Sequence, residues 1–221
     1  MMQNNGDIKV AVLYGGTGQA KVVRPILEQQ GIRVIAVFDD TPNLQSPFSD
    51  IQCCRGTEEI DAWLAEHQSS LSNTGFCITI GNPHGLVRCQ LHDKLSKLGM
   101  KPLQAIHSSA IIEANAVIGE GCQIMAGAYV GVEAHLGRQC IVNTMASVDH
   151  ECKLAEGVEL APGATLCGLI NLGKYAWVGA GATVLPRVSI GENAVIGAGS
   201  LVRKDVVAGE TVVGVPASPL A

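Results

Sequence analysis

Aliphatic residues recur at every sixth position through the second half of the chain. Counting in sixes from Ile106 meets an Ile, Leu or Val at all seventeen steps. The steps are Ile106, Ile112, Ile118, Ile124, Val130, Leu136, Val142, Val148, Leu154, Leu160, Leu166, Leu172, Val178, Val184, Ile190, Ile196 and Val202. A period of six fits neither a helix of ~3.6 residues per turn nor a single alternating strand, but it fits short strands separated by sharp turns. Three such strands close a triangular coil of 18 residues, so the pattern predicts a parallel β-helix of nearly six coils.

The residues around each aliphatic support this interpretation. The residue two places before it is usually small, as at Ala128 and Cys140, and the residue after it is often Gly, as at Gly119. Small side chains would fill the interior, and Gly would accept unusual backbone angles at the turns. Cys122, Cys140 and Cys152 fall in this inward position, and the chain has no C-x-x-C pair. We therefore expect free thiols that fill the core, not disulfides or a metal site.

The first half of the chain alternates strands with helices instead. Residues 8–14 form an apolar run typical of a buried parallel strand, residues 19–30 predict a helix ended by Gly31, and residues 32–38 predict a second strand. Further helices are predicted at 58–67 and 86–98, with a strand at 76–81 and a connecting segment at 101–103. The expected organisation is a Rossmann-like α/β domain over residues 1–103, followed by the β-helix over residues 104–221.

A glycine-rich turn joins the first strand to the first helix. Such a turn presents backbone N–H groups to a phosphate, and Asp39-Asp40, at the end of the second strand, suits a contact to a ribose or base. The spacing Gly15-x-x-Gly18 departs from the dinucleotide fingerprint, and three or four strands are only half of a dinucleotide fold. A mononucleotide-linked ligand is therefore favoured over NAD. The alternative is a turn that serves only the packing of strand against helix.

Composition narrows the classes of function. Hydrophobic residues make up 47% of the chain and charged residues 16%, which is enough to build buried cores. A net charge of −5 without a Lys/Arg run argues against a nucleic-acid partner. No apolar stretch approaches the ~18 residues of a membrane span, and the first residues show no signal-peptide pattern. We therefore expect a cytoplasmic protein with no membrane or nucleic-acid partner.

The repeat resembles the left-handed β-helix of the hexapeptide acyltransferases over residues 106–205. That likeness implies the left hand of the coil, a homotrimer, and acyl-CoA bound in grooves between neighbouring coils. The tail Gly214-Val215-Pro216-Ala217 is similar to the family's C-terminal signature, although Ser218 stands where a Lys or Arg often follows and contacts CoA phosphate.

The two halves together resemble a more specific group. From about residue 8 to 217 the chain is similar to bacterial nucleotide-sugar acetyltransferases of the sialic-acid O-acetyltransferase type, and most of all to the branch that N-acetylates UDP-4-amino-4,6-dideoxy sugars. The likeness rests on the glycine turn, Asp39-Asp40, the hexads, the string Ile80-Gly81-Asn82, and the run Asn143-Thr144-Met145-Ala146-Ser147-Val148-Asp149-His150-Glu151-Cys152.

The resemblance implies a set of site residues. It makes His150 the general base, Glu151 the group that orients its imidazole, and Asn143 a contact to the sugar amine. The nucleotide-sugar site would comprise Thr17, Gly18, Gln19, Asp39, Asp40 and Gly81, and acetyl-CoA, the co-substrate, would meet Gly168, Ala180, Ala198 and Glu159, with no metal. The family often has His at the positions of Gln19 and Glu159, so the amino sugar stays open. UDP is the preferred nucleotide, with GDP and dTDP as alternatives.

The period itself relates some of these residues. One coil of 18 residues separates His150 from Gly168, so the two should lie one above the other, ~4.8 Å apart along the axis. Ala180 and Ala198 are likewise one coil apart. A His with a pKa near ~6.5 can accept an amine proton at neutral pH. The resemblance assigns the Gly168 N–H to the thioester oxygen, whereas small residues that merely allow tight corners are the alternative.

Several functions fit this pattern. The leading hypothesis is acetyl-CoA-dependent N-acetylation of a nucleotide-linked amino sugar by direct transfer in a ternary complex. O-acetylation of a sialic-acid-like sugar would use the same scaffold. A metal-dependent hydratase of carbonic-anhydrase type needs three clustered His ligands, and His107, His135 and His150 are dispersed along the repeat. A non-catalytic trimeric binding scaffold is the remaining alternative.

Overall fold

The computed structural model describes residues 5–81 and 83–220, except for the side chain of Thr57. Asn82 of the Ile80-Gly81-Asn82 string lies outside the described residues, as do the terminal residues 1–4 and 221. The first part of the chain contains β1 (Val10–Tyr14), α1 (Gly18–Gln29), β2 (Arg33–Asp39), β3 (Cys53–Arg55), α2 (Gly56–Glu66), a 3-10 helix (Gln68–Asn73), β4 (Thr74–Ile78), α3 (Gly85–Lys97) and β5 (Lys101–Pro102).

These strands form one parallel sheet in the order β3-β2-β1-β4-β5. Helix α1 packs on one face of the sheet and α2 on the other, which explains why the centre of β1 is apolar on both sides. The predicted Rossmann-like fold is confirmed, with five strands instead of three or four. The strands that the sequence did not reveal, β3 and β5, have only three and two residues and cannot carry a hydrophobic pattern.

The second part of the chain winds as a three-sided parallel β-helix whose strands are mostly two residues long. Face 1 contains β6 (Ala105–Ile106), β9 (Gln123–Ile124), β12 (Ile141–Val142), β15 (Glu159–Leu160), β18 (Trp177–Val178), β21 (Val195–Ile196), β23 (Thr211–Val213) and the antiparallel β24 (Ser218–Pro219). Face 2 contains β7 (Ile111–Ile112), β10 (Tyr129–Val130), β13 (Ser147–Val148), β16 (Thr165–Leu166), β19 (Thr183–Val184) and β22 (Leu201–Val202). Face 3 contains β8 (Val117–Ile118), β11 (His135–Leu136), β14 (Lys153–Leu154), β17 (Asn171–Leu172) and β20 (Ser189–Ile190).

The hexad aliphatics form the interior of this coil, as predicted. Every one from Ile118 to Val202 is buried, while Ile106 and Ile112 are half-buried against the same core at the first coil. Cys122, Cys140 and Cys152 are fully buried in the small inward position, as expected, and their thiols are free.

The glycine that follows many of the aliphatics has a different role from the one expected. The left-handed backbone lies three residues after the aliphatic, for example at Met145 (φ 58°) and Glu151 (φ 58°), and not at that glycine. A Cβ on Gly131 would instead lie 2.8 Å from a backbone carbon of Asp149 in the next coil, and one on Gly179 would lie 2.6 Å from the Ala198 nitrogen. These glycines are therefore required by the close stacking of consecutive coils.

The Rossmann-like domain covers part of face 1. Gln123, Ile141 and Glu159 stand side by side in three adjacent strands of that face and are all buried. Arg88 of α3 is fully buried in the same contact and reaches the β-helix with its guanidinium. This contact fixes how the α/β sheet is held against the coil.

Candidate active site

A cleft of about 780 Å³ opens at the carboxyl edge of the α/β sheet. The chain passes from β1 outward to β2 and β3 and then returns to β4, so the strand order reverses between β1 and β4. Ligands of open parallel sheets bind at such a reversal. All six residues predicted for the nucleotide sugar line this cleft, namely Thr17, Gly18, Gln19, Asp39, Asp40 and Gly81.

Two residues fix the shape of the glycine turn, Gly15 through its backbone conformation and Gly16 through a hydrogen bond. Gly15 has φ 113°, and a Cβ there would lie 2.5 Å from the Thr79 carbonyl oxygen, so only glycine fits. The Gly16 N–H donates to Asp39 Oδ2 at 2.6 Å, while Asp39 Oδ1 accepts the Thr41 N–H at 2.8 Å. Asp39 therefore anchors the turn as well as lining the cleft.

The start of α1 faces the same cleft. Helix α1 begins at Gly18, and its first turn has no acidic residue. A Cβ on Gly18 would meet only open space, so the helix N-terminus is accessible from the cleft. Its free N–H groups and positive dipole end suit a phosphate. Asp40, at the mouth, accepts a hydrogen bond from the Tyr14 hydroxyl at 2.8 Å.

His150 lies on the β-helix, at the corner between face 2 and face 3. Its Nδ1 is 2.9 Å from Glu151 Oε2, and the two side chains are 52% and 48% exposed. A carboxylate accepts hydrogen bonds only, so it selects the tautomer with hydrogen on Nδ1 and leaves the Nε2 lone pair available. The imidazole can therefore accept a proton at Nε2 while Glu151 holds its orientation.

The predicted stacking of His150 on Gly168 is found. A Cβ on Gly168 would overlap the imidazole at Nε2, Cε1 and Cδ2, and the Leu169 N–H donates to the His150 carbonyl at 3.0 Å. Among residues 5–81 and 83–220, none accepts a hydrogen bond from the Gly168 N–H. Glycine is required at this position because any side chain would displace the imidazole.

The other predicted residues of the β-helix lie elsewhere. Asn143, Ala180 and Ala198 follow β12, β18 and β21, which places them at the corner between face 1 and face 2. Ala180 and Ala198 are exposed there, as a groove for a ligand requires. His150 and Gly168 lie one corner away along the coil, so the structure divides the predicted acetyl-transfer residues between two corners of the prism.

Glu159 lies beside the cleft of the α/β sheet and not at either corner. Its side chain is only 8% exposed, and its Oε2 accepts from Arg88 Nη1 at 3.2 Å. Its Oε1 is 3.4 Å from Asn143 Nδ2, and a Cβ on Gly81 would lie 4.0 Å from that oxygen. Glu159 thus connects the wall of the cleft to Asn143, and its predicted contact with acetyl-CoA stays a prediction.

Two buried polar residues at this junction were not predicted from the sequence. Arg88 donates to the backbone carbonyls of Ile80, Gln139 and Gly157 as well as to Glu159. Gln123 donates its Nε2 to the Ile78 carbonyl at 2.7 Å and accepts from Gln19 Nε2 at 2.8 Å. A charged residue in a helix and a polar residue at an outward hexad position are ordinary on a surface, so no sequence signal marked either of them.

Within the described part of the chain, no group of three or more His, Cys, Asp or Glu side chains could hold a metal ion. Nor does any helix in that part have the length and apolar character needed to cross a membrane.

A Rossmann-like domain with a cleft at its carboxyl edge, joined to a coil of hexapeptide repeats, is the architecture of a hexapeptide-repeat transferase. Residues 10–95 match the PglD N-terminal domain, and residues 170–204 match the bacterial transferase hexapeptide (six repeats). The chain belongs to the family of hexapeptide-repeat sugar acetyltransferases that carry a PglD-type N-terminal domain.

Solved structures share this architecture over nearly the whole chain. PerB from Caulobacter crescentus, in complex with CoA and GDP-perosamine, is 31% identical, with a TM-score of 0.83 over 96% of this chain and 97% of that one. The acetyltransferase domain of PglB from Neisseria gonorrhoeae FA1090, in complex with acetyl coenzyme A, is 29% identical, with a TM-score of 0.84 over 96% and 100%. The predicted family and fold are thereby confirmed.

A curated relative matches over a shorter segment. The GDP-perosamine N-acetyltransferase of Escherichia coli O157:H7 is 31% identical over 105 residues, which is 48% of this chain and 47% of that enzyme. The matched segment therefore spans about half the length of that relative. The Escherichia coli enzyme is named for GDP-perosamine and PerB is in complex with it, whereas the sequence resemblance favours UDP.

Proposed function

We propose that the protein transfers the acetyl group of acetyl-CoA to the amino group of a nucleotide-linked sugar, a 4-amino-4,6-dideoxy sugar by the sequence resemblance. The observation that carries this proposal is the His150 imidazole, tied through Nδ1 to Glu151 and seated against Gly168. The acetyltransferase relatives support it, since their structures contain CoA or acetyl coenzyme A and, in PerB, a nucleotide-linked sugar.

The reaction follows from the groups at this corner. The amine nitrogen attacks the thioester carbonyl carbon, and the carbonyl oxygen, as it becomes an oxyanion, accepts from the Gly168 N–H. His150 Nε2 removes a proton from the attacking nitrogen, and the resulting imidazolium is stabilised by Glu151. Collapse of the tetrahedral intermediate breaks the C–S bond, and the thiolate of CoA leaves and takes the proton from His150. The products are the N-acetyl sugar and free CoA.

The division of the site between two corners supports a homotrimer. His150 and Gly168 occupy one corner, while Asn143, Ala180 and Ala198 occupy the next, on the side of the nucleotide-sugar cleft. One protomer cannot bring both corners to the same acetyl group, whereas packing three prisms side by side can oppose unlike corners. We assign the acetyl-transfer site to this seam, with His150 from one protomer and the cleft from its neighbour.

The resemblance and the relatives indicate different nucleotides for the substrate. The sequence resemblance favours UDP, while the relatives named with GDP-perosamine favour GDP. Asp39 binds two backbone N–H groups and Asp40 accepts from the Tyr14 hydroxyl, and both residues line the cleft in which ribose or base groups would lie. UDP-, GDP- and dTDP-linked amino sugars therefore belong in the same assay.

The test is acetyl transfer by wild type and His150→Asn, measured as CoA thiol release with each nucleotide-linked amino sugar and with a matched hydroxyl sugar. Loss of a general base is expected to lower kcat by about 10²- to 10⁴-fold. His107→Asn, at the first coil, is the matched control and should retain activity. Light scattering should give a trimer for all three proteins. Near-wild-type turnover by His150→Asn would overturn the base assignment, and exclusive turnover of the hydroxyl sugar would replace N-acetylation by O-acetylation.

A further inference from the structure

Two glutamine side chains meet where the nucleotide-sugar cleft touches the β-helix. Gln19, in the first turn of α1, is half-buried and lines the cleft. Gln123, on face 1, is fully buried and lies behind it. Gln19 Nε2 and Gln123 Oε1 are 2.8 Å apart, and Gln123 Nε2 is 2.7 Å from the Ile78 carbonyl oxygen at the end of β4.

This arrangement permits one orientation of both amides. A backbone carbonyl only accepts, so the Gln123 atom that faces Ile78 must be the NH₂ group. The other end of the Gln123 amide is then its oxygen, which also only accepts. Gln19 must therefore turn its own NH₂ group toward Gln123, which leaves Gln19 Oε1 as its cleft-side atom. Among the described residues, no donor is hydrogen-bonded to that oxygen.

We infer that Gln123 is a positioning residue that fixes the Gln19 amide so that its carbonyl oxygen receives an N–H of the acceptor amine. This inference rests on the proposed function, and it means that a residue of the β-helix helps to select the sugar that is bound. A hydrogen bond accepted by Gln19 holds one N–H of the amine and thereby directs the nitrogen lone pair. An amide free to rotate would present NH₂ to the amine about as readily as oxygen, and NH₂ repels an N–H donor.

The stack of Gln123, Ile141 and Glu159 on face 1 explains how the orientation of the Gln123 amide is maintained. Gln123 is separated from Glu159 by the buried Ile141, so the apolar residue isolates the two polar contacts from each other. Water has no access to the fully buried Gln123 amide, and breaking its bond to Ile78 would leave a buried carbonyl unpaired. Such a loss is costly, which makes the orientation rigid.

The experiment compares three substitutions of buried glutamines. Gln123→Met keeps the volume but removes both hydrogen bonds. Gln123→Glu restores them, because burial raises the pKa of that carboxyl and a neutral acid can donate O–H to Ile78 while its carbonyl accepts from Gln19. Gln104→Met is the matched control, since Gln104 is buried and its Nε2 donates to the carbonyls of Ile118 and Gly119 outside the cleft.

Steady-state kinetics with the best nucleotide-linked amino sugar supply the main measurement. For Gln123→Met, kcat/KM for the amino sugar should fall about 5- to 30-fold, as for one misplaced hydrogen bond. KM for acetyl-CoA and the Kd of the free nucleoside diphosphate should stay within about 2-fold, because neither contacts the amide oxygen. Gln123→Glu should recover to within about 3-fold of wild type, and Gln104→Met should change kcat/KM by less than about 2-fold.

A second variant keeps the test decisive if Gln123→Met does not fold. Gln19→Met, at the half-buried end of the contact, should show the same loss in kcat/KM, and combining it with Gln123→Glu should add nothing. Wild-type kcat/KM in Gln123→Met or Gln19→Met would overturn the inference, as would an equal loss in Gln104→Met. If wild type acetylates no nucleotide-linked amino sugar, the proposed function fails instead.

Discussion

Replacing Arg88 by methionine should destabilise the protein far more than replacing an arginine on its surface. Arg88 is fully buried between the two domains, and its guanidinium makes four hydrogen bonds. Methionine has a similar length but no donor. Three backbone carbonyls would lose a partner, and the Glu159 carboxylate would remain buried without its arginine.

The expected magnitude follows from what is left behind. Removing one partner of a buried ion pair costs about 3–5 kcal/mol, because the other charge stays in a poorly solvated position. Arg24 provides the matched control, since its ion pairs with Glu28 and Asp50 involve carboxylates that are 44% and 58% exposed. Arg24→Met should therefore cost less than about 1 kcal/mol. The double variant Arg88→Met/Glu159→Met should be more stable than Arg88→Met alone, because the unpaired charge is removed.

The assay is urea unfolding at a fixed protomer concentration, since the stability of an oligomer depends on concentration. The two tryptophans report on different parts of the molecule, Trp63 on α2 and Trp177 on face 1 of the β-helix. An Arg88→Met variant within about 1 kcal/mol of wild type would refute the reasoning. A double variant no more stable than Arg88→Met would show that the carboxylate is not the source of the cost.

Three further predictions concern the site and its surroundings. Gly168→Ala should lower kcat at least about 10²-fold, because the added methyl group displaces the imidazole. In a His150→Ala background the same substitution should cause no further loss, and the kinetics of the single and double variants measure this. The tryptophan of Gly18→Trp would fill the cleft, so this variant and His150→Ala should each be inactive alone. When the two are coexpressed and mix at random, about a quarter of the seams combine an intact His150 with an intact cleft. Coexpression should therefore restore about a quarter of wild-type turnover if the site lies between protomers. The pKa of Glu156 is lowered to about 2 from its ordinary 4.5, mainly by a hydrogen bond from Lys174 and next by one from Arg138. Its contribution to stability is therefore full above pH 4.5 and lost as the pH falls toward 2, so Glu156→Gln should flatten the decline of melting temperature in that window.

The predicted parts of the fold rest on patterns that are local in the sequence. A six-residue period specifies which residues face the interior of a coil, and the 18-residue repeat places His150 beneath Gly168 without further information. The glycine turn and Asp39 could likewise be assigned to one cleft, because consecutive parallel strands bring their carboxyl ends to the same edge of a sheet.

The domain junction depends on contacts that no period describes. The sequence shows that Gln123 and Glu159 point outward from the coil, but an outward residue can face water, another protomer or another domain. Only the docking of α1 and α3 on face 1 buries them and pairs them with Gln19 and Arg88. The same docking places Glu159 beside Gly81, in the wall of the cleft of the α/β sheet.

The sequence alone therefore determined the two architectures, the interior of the coil and the stacking of His150 on Gly168. The tertiary structure decided which face of the coil is covered, which corner each candidate residue occupies, and which polar groups are buried. The physical reason is that backbone period and strand order act between near neighbours in the chain. The buried contacts that Arg88 and Gln123 make across the domain junction instead join residues 45 to 104 positions apart, and their energy depends on how two surfaces exclude water from each other.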